Sequence, residues 1–181
     1  MAAMIVILNG PPGCGKDTIA NAYLEKYPST VLVSFKVPIQ RILAALMGCS
    51  TEQLLDIYED RLWKESPNSM LGGMSPRETL IWLSEEVIKP KFGKPFFGRV
   101  LASQINGNSN YLSTDGGFVE EIYPLLVKCH ELRMPLKIVH VYREGCSFQG
   151  DSRNYITTFP EYVTELYNNG TVEEAVEKLS R

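Results

Sequence analysis

The sequence predicts a three-layer α/β fold, a parallel five-stranded sheet with helices on both faces. Three observations carry that reading. Short β-branched runs alternate with helical patterns of crossover length, as parallel strands require. The first run, Met4-Ile5-Val6-Ile7-Leu8, is continuously apolar, the mark of a strand buried on both faces. The chain has 181 residues, enough to bury a core without disulfides or a structural metal, and within the range of one domain.

Glycines and prolines follow the first strand, and Lys16 to Lys26 then reads as a helix with Ile19, Ala20, Tyr23 and Leu24 on one face. Thr30 to Phe35 is the second strand. Ile39, Ile42, Leu43, Leu46 and Met47 fall at helical spacing and stop at Gly48. Ser50 to Gln53 can cap a helix running towards Trp63, and Glu65 to Gly73, rich in Gly, Asn, Pro and Ser, reads as a mobile loop. Ser75-Pro76-Arg77-Glu78 opens the next helix, with Ser at the cap, Pro first and Glu third; it should end before Pro90. Pro95 to Ile105 is a further helix. Asn110 to Thr114 is the third strand, entering Asp115-Gly116-Gly117 and a helix to about Leu132. Leu136 to Tyr142 is the fourth strand, Arg143 to Ser152 a polar loop, and Tyr162 to Tyr167 the fifth strand. Thr171 with Glu174 caps a terminal helix. The helix-rich block from Val37 to Ile105 is too long for a simple crossover, so substrate specificity is expected there.

Composition narrows the function. At 44% hydrophobic and 22% charged, the chain has the make-up of a soluble globular protein, not of a disordered or coiled-coil one. A net charge of −3 argues against nucleic acid as a partner. Cys14, Cys49, Cys129 and Cys146 form no C-x-x-C pair and have two histidines for company, which disfavours zinc and suits reduced thiols in the cytoplasm. Met1 to Leu8 lacks a basic flank and ends in a turn, so it is not read as a signal peptide, and no apolar run is long enough for a membrane span.

The chemistry lies in Gly10-Pro11-Pro12-Gly13-Cys14-Gly15-Lys16, a G-x-x-x-x-G-K loop between a buried strand and a helix. Glycines let backbone N–H groups curl around phosphate oxygens, the helix N-terminus adds its positive dipole end, and Lys16 can reach the β- and γ-phosphates. Asp17 replaces the usual Ser or Thr, with Thr18 after it. Asp17 reads equally well as a water-mediated Mg²⁺ ligand or as a partner of the helix dipole. The absence of an N-K-x-D tetrapeptide disfavours a GTPase.

Phosphoryl transfer calls for charge stabilisation, which directs attention to arginines on loops. Arg143 and Arg153 flank the Gly-containing loop and could close over phosphates from both sides. Asp115, at the carboxyl end of a strand, could order metal-bound water, hold a loop hydroxyl, or simply shape a turn. Arg77 opposes the dipole in the first turn of its helix. A bound phosphate would explain that, as would an ion pair with Glu78 or Asp60. Lys89, Lys91, Lys94 and Arg99 read as a solvated face, Glu120 and Glu121 as a solvated first turn, and Trp82, Phe96, Phe97 and Phe118 as core.

These motifs together resemble the deoxynucleoside monophosphate kinases of bacteriophages, within the P-loop nucleoside monophosphate kinases. Gly10 to Thr18 resembles their G-x-x-x-x-G-K-D-T loop. Ser34-Phe35-Lys36-Val37-Pro38 is similar to S-F-A-x-P-L-K, and Ser75-Pro76-Arg77 through Glu86 to T-P-R-x-x-L-Q-x-x-G-T-E, with Phe92-Gly93 continuing it. Ser113 to Phe118 resembles S-D-x-R-F-x-N-E, and Asn168 to Glu174 the ending N-x-G-T-x-E-E. The resemblance implies ATP-dependent phosphorylation of a (deoxy)nucleoside monophosphate with Mg²⁺, in one P-loop kinase domain with a helical acceptor-binding region at about 37–105 and a short lid at about 143–153. Gly10, Gly13, Cys14, Gly15, Lys16, Asp17, Thr18 and Asn168 would hold ATP, with the loop around Asn168 beside the adenine. Lys36, Arg41, Arg77, Glu86, Asp115 and Phe118 would hold the acceptor. Lys16, Arg143 and Arg153 would be catalytic, and Asp17 and Asp115 would meet Mg²⁺ through water. The expected setting is the cytoplasm (the host's, for a phage protein), with the nucleotide as the partner and neither nucleic acid nor membrane. The sequence leaves a homodimer open.

Three positions depart from that pattern. Gly117 stands where the family has an arginine, with Arg99 or Arg41 as its expected replacement. Ile81 replaces a glutamine, and Ser84-Glu85-Glu86 replaces G-T-E. Two other readings stay open on the residues: a P-loop kinase of a hydroxyl-bearing small molecule, and a nucleotide-binding module without catalysis.

Overall fold

The computed structural model describes residues 3–180. The chain folds into two compact units: residues up to Phe35 together with those from Gly98 onward, and Lys36–Phe97.

The first unit holds a five-stranded parallel sheet, β1 (Ile5–Asn9), β2 (Thr30–Leu32), β3 (Asn110–Ser113), β4 (Leu136–Tyr142) and β5 (Val163–Tyr167), in the order β2-β3-β1-β4-β5. Every residue of the central strand β1 is buried, as its unbroken apolar run requires. Its register pairs Ile5 with Tyr111 on one side and Leu136 on the other. Val6, Leu8, Leu112, Val139, Val141 and Leu166 point to one face. There they pack with Ile19 and Ala20 of α1 (Lys16–Lys26) and with Ala175, Val176 and Leu179 of α9 (Val172–Leu179). The period of two sends Ile5, Ile7 and Ile138 to the opposite face. All five strands run the same way, so their carboxyl ends share one edge, where α/β sheets bind ligands.

Strand β2 is shorter than its apolar run suggested. Val33 still donates to Leu112 O at 2.8 Å, but Ser34 and Phe35 are drawn off towards Asp115. Between β2 and β3, α7 (Phe96–Gln104) leads into the strand; α8 (Val119–Leu132) follows it. The backbones of α7 and α8 touch at Gly98, where an added Cβ would collide with the Glu121 carbonyl. That close approach buries Glu121, which the sequence placed in a solvated turn.

The second unit is helical: α2 (Val37–Leu46), α3 (Thr51–Tyr58), α4 (Arg61–Glu65), α5 (Pro76–Trp82) and α6 (Lys89–Phe92). Capping boxes open α3 at Ser50/Gln53 and α5 at Ser75/Glu78, and a third opens α9 at Thr171/Glu174, each where the sequence placed one. Two boundaries differ from expectation. The helix expected to reach Trp63 breaks at Asp60, whose carboxylate accepts from the N–H of Leu62 and Trp63 and starts α4 as a separate helix. The segment read as a mobile loop contains a short 3₁₀ turn, Ser69–Leu71, capped by Asn68.

The helix expected to end before Pro90 continues through it instead. Leu83–Ile88 forms a π turn, in which Lys89 N–H reaches back to Ser84 O, and α6 follows directly with Pro90 in its first turn. Such a widened turn shifts the carbonyls that a proline ring would otherwise meet. Trp82, expected in the core, is 43% exposed, and Lys89, expected on a solvated face, has a largely buried side chain paired with Glu85.

Because Gly98 admits only hydrogen at the α7–α8 contact, Gly98→Ala is expected to cost about 3 kcal/mol, from overpacking against backbone that cannot yield. Urea unfolding measures this; an unchanged midpoint would contradict the packing described.

Candidate phosphate-binding site

The loop from Gly10 to Gly15 turns the chain from β1 into α1, and its geometry forces its glycines. A Cβ on Gly10 would come within 2.6 Å of Val141 O and 2.8 Å of Cys14 Sγ. Gly15 caps α1 at φ 94°, in the left-handed region, and a Cβ there would also strike the Asn168 amide. Lys16 is buried, and its ammonium donates to the carbonyls of Gly10 (2.7 Å) and Pro11 (2.8 Å), which places the cation inside the loop. Burial lowers its pKa and Arg153's charge adds to that, while Cys14 and Asp17 oppose it. Burial in turn raises the Cys14 thiol, in keeping with a packing role. Asp17 and Thr18 are exposed in the first turn of α1.

Two segments brace this loop. Asn168, just past β5, donates from its side-chain amide to Cys14 O at 2.8 Å, and its own N–H reaches Tyr142 O. Asn168, in the loop expected beside the adenine, thus holds the Gly10–Gly15 backbone itself. Arg143, directly after β4, is exposed and makes no ion pair among the described residues. Its guanidinium lies 3.8 Å from where a Gly15 Cβ would be, beside the start of α1.

Asp115 is buried at the end of β3. Its carboxylate accepts from Ser34 Oγ (2.6 Å), Ser113 Oγ (2.8 Å) and Phe35 N–H (3.2 Å), joining the ends of β2 and β3. Phe118 is half-buried at the cap of α8. Gly117 is covered by Arg153, whose stem fills the space a side chain there would need.

Sequence reasoning missed Asn9, the last residue of β1, which is fully buried. Its amide donates to Gly116 O (3.2 Å) and Asn154 O (3.1 Å), and its Oδ1 accepts from Ile156 N–H (2.8 Å). The available signal was a polar residue closing an otherwise apolar buried strand. His140 on β4 also holds this segment, with Nε2 donating to Ile156 O at 3.0 Å, and Tyr155 donates from its hydroxyl to Val141 O.

The remaining acceptor candidates lie in the helical unit. Lys36 caps α2 and Arg41 is exposed on it; α2 packs against α5. Arg77, in the first turn of α5, pairs with Glu65 at 3.1 Å, not with Glu78 or Asp60. Glu86 is exposed on the π turn.

Compared with known families and with curated proteins, the chain matches none. Among solved structures it is similar to a "putative kinase" from Chloroflexus aurantiacus J-10-fl, with a TM-score of 0.54 at 11% identity, covering 99% of this chain and 98% of that one. It also aligns with a shikimate kinase from Bacteroides thetaiotaomicron (TM-score 0.46, 10% identity, 98% and 96% covered). A sugar kinase from Janibacter sp. HTCC2649 gives 0.42 at 14%, with 98% and 92% covered. The class these findings define is the α/β fold with a five-stranded parallel sheet between helices, shared over its full length with the Chloroflexus protein. No helix among the described residues is long and apolar enough to cross a membrane.

Burial holds the His140 imidazole below its ordinary pKa of 6.5, against the opposing pull of Ile156 O and Glu165. The unfolded chain therefore takes up this proton first, so stability present above pH 6.5 is lost as pH falls through that value towards the lower folded pKa. NMR of the ring protons should show His140 titrating below 6.5; a midpoint at or above it would contradict the burial described.

Proposed function

We propose that this chain is an ATP-dependent kinase of a small molecule and that its phosphoryl acceptor is a (deoxy)nucleoside monophosphate. One observation carries the reading: a glycine-built loop between a buried strand and a helix encloses the Lys16 ammonium, with the Arg143 guanidinium beside it.

In this reading the amides of Gly13 to Thr18 hold the ATP phosphates. Lys16 exchanges its bonds to Gly10 O and Pro11 O for phosphate oxygens, and Arg143 and Arg153 bring positive charge to the transferred group. Asn168 and Cys14 act through the loop's shape. Asp17, exposed beside Lys16, fits an Mg²⁺ held through water, and among the described residues no group of three His, Cys, Asp or Glu side chains offers the ion a cage of its own. When bound, the ion would neutralise charge on the phosphates. Asp115, whose carboxylate accepts from Ser34, Ser113 and the Phe35 N–H, is better suited to fixing the ends of β2 and β3 than to meeting the metal.

A phosphate oxygen is already an anionic nucleophile, so a monophosphate acceptor needs no general base. It does need cations. Arg77, with Lys36 and Arg41, supplies them from the helical unit, where Glu65 would release Arg77 to the acceptor phosphate. In this reading Glu86 bears on the acceptor's sugar or base, and Ile81 helps to select the base. A hydroxyl acceptor would need a base, and Asp115's engagement with Ser34, Phe35 and Ser113 leaves Asp17 as the carboxylate for that task.

ADP production from ATP and Mg²⁺ against the eight common ribo- and deoxynucleoside monophosphates tests this. Turnover with one or a few of them is the expected result; turnover with none would remove the monophosphate reading. Lys16→Ala is expected to lower kcat at least about a hundredfold with the fold intact, and wild-type turnover would remove the loop from the mechanism. Arg77→Ala should raise the acceptor KM about tenfold while leaving that for ATP nearly unchanged; equal changes in both would take Arg77 out of the acceptor site.

A further inference from the structure

The two arginines flanking residues 144–152 are held in very different ways. Arg143 is exposed and unpaired among the described residues. Arg153 is fixed along its whole length. Its stem crosses Gly117, where an added Cβ would lie 2.8 Å from Arg153 Cδ and 2.9 Å from its Cβ and Cγ, so glycine is the residue that leaves the path open. Its guanidinium forms a fork with Asp151, Nε to Oδ1 at 2.9 Å and Nη2 to Oδ2 at 2.7 Å, and Oδ1 also accepts the Arg153 backbone N–H.

The chain beyond it is equally tied down. Asn154 and Ile156 bond to Asn9, Ile156 bonds to His140, and Tyr155 bonds to Val141. Its charge is felt at Lys16, and the carboxylates facing it besides Asp151 are Asp115 and Asp17. Of the five N–H groups of an arginine, two go to Asp151, which leaves three for an anionic oxygen.

We propose that Asp151 is the positioning residue of Arg153 and holds it as a fixed phosphate-binding group at the carboxyl edge of the sheet, with Gly117 as the opening through which it enters. This rests on the phosphate reading of the Gly10–Thr18 loop and deepens it. The cation is ordered before any ligand arrives, so binding does not bear the cost of ordering a long side chain. The fork fixes the plane of the guanidinium, which a lysine could not reproduce.

Inorganic tripolyphosphate, titrated calorimetrically into the full chain at fixed ionic strength, tests the proposal without requiring turnover. Asp151→Ala and Gly117→Ala are each expected to weaken binding about tenfold, and Arg153→Lys to fall short of wild type. In an Arg153→Ala background, adding Gly117→Ala should weaken binding less than about twofold, because its effect passes through Arg153. Should Gly117→Ala fail to fold, Asp151→Asn, nearly isosteric, reads the same dependence and should also weaken binding. Unchanged affinity in the Asp151 variants overturns the proposal while leaving the loop reading intact. So does a Gly117→Ala loss that persists in full without Arg153, since that marks a general packing defect. If wild type does not bind tripolyphosphate, or Lys16→Ala binds it equally well, the loop reading fails and this proposal with it.

Discussion

A buried amide at the end of the central strand governs the ligand edge of the sheet. Asn9 is the point at which β1 stops being core and becomes loop, and its side chain joins three pieces of chain distant in sequence: its own strand, the Gly116 turn after β3, and residues 154–156. With no access to water, each partner would otherwise be an unsatisfied polar group costing roughly 1–3 kcal/mol. The bonds therefore fix geometry as well as adding stability. Asn9 thus places the Gly116–Gly117 turn and the strap above it, and the stem of Arg153 crosses that turn at Gly117.

The loop itself follows the same logic of crowding. Gly10 lies against Val141 O, Gly15 against Asn168, and Lys16 fills the interior with its charge satisfied by two carbonyls. The arrangement is thus set by neighbours on β4 and after β5 as much as by the loop's own residues. Carbonyl acceptors are weaker partners for an ammonium than phosphate oxygens, and on the proposed reading the lysine exchanges the one for the other.

Much of this was legible from sequence because it depends on local rules. The apolar run before Gly10, the three Ser/Thr capping boxes and the valine-rich fourth strand each report their own structure within a few residues. What escaped depends on partners far away in the chain. The role of Asn9 does not show until residues 154–156 are seen beside it. Gly117 looks like a lost arginine until the stem of Arg153 is found in its place, and Arg77's partner, Glu65, closes the separate short helix that begins at Asp60, a break the apolar pattern does not show. Pro90 misled for a different reason: the π turn before it is a backbone adjustment without a sequence signature. Glu121 became buried because Gly98 lets two helices touch.

The central claim is that backbone amides of the Gly10–Thr18 loop receive phosphate, and amide hydrogen exchange with and without ATP and Mg²⁺ tests it most directly. The account predicts slowed exchange across residues 13–18, and loss of that protection in Lys16→Ala. Exchange in this loop that is unchanged by saturating nucleotide, with protection elsewhere, would contradict it.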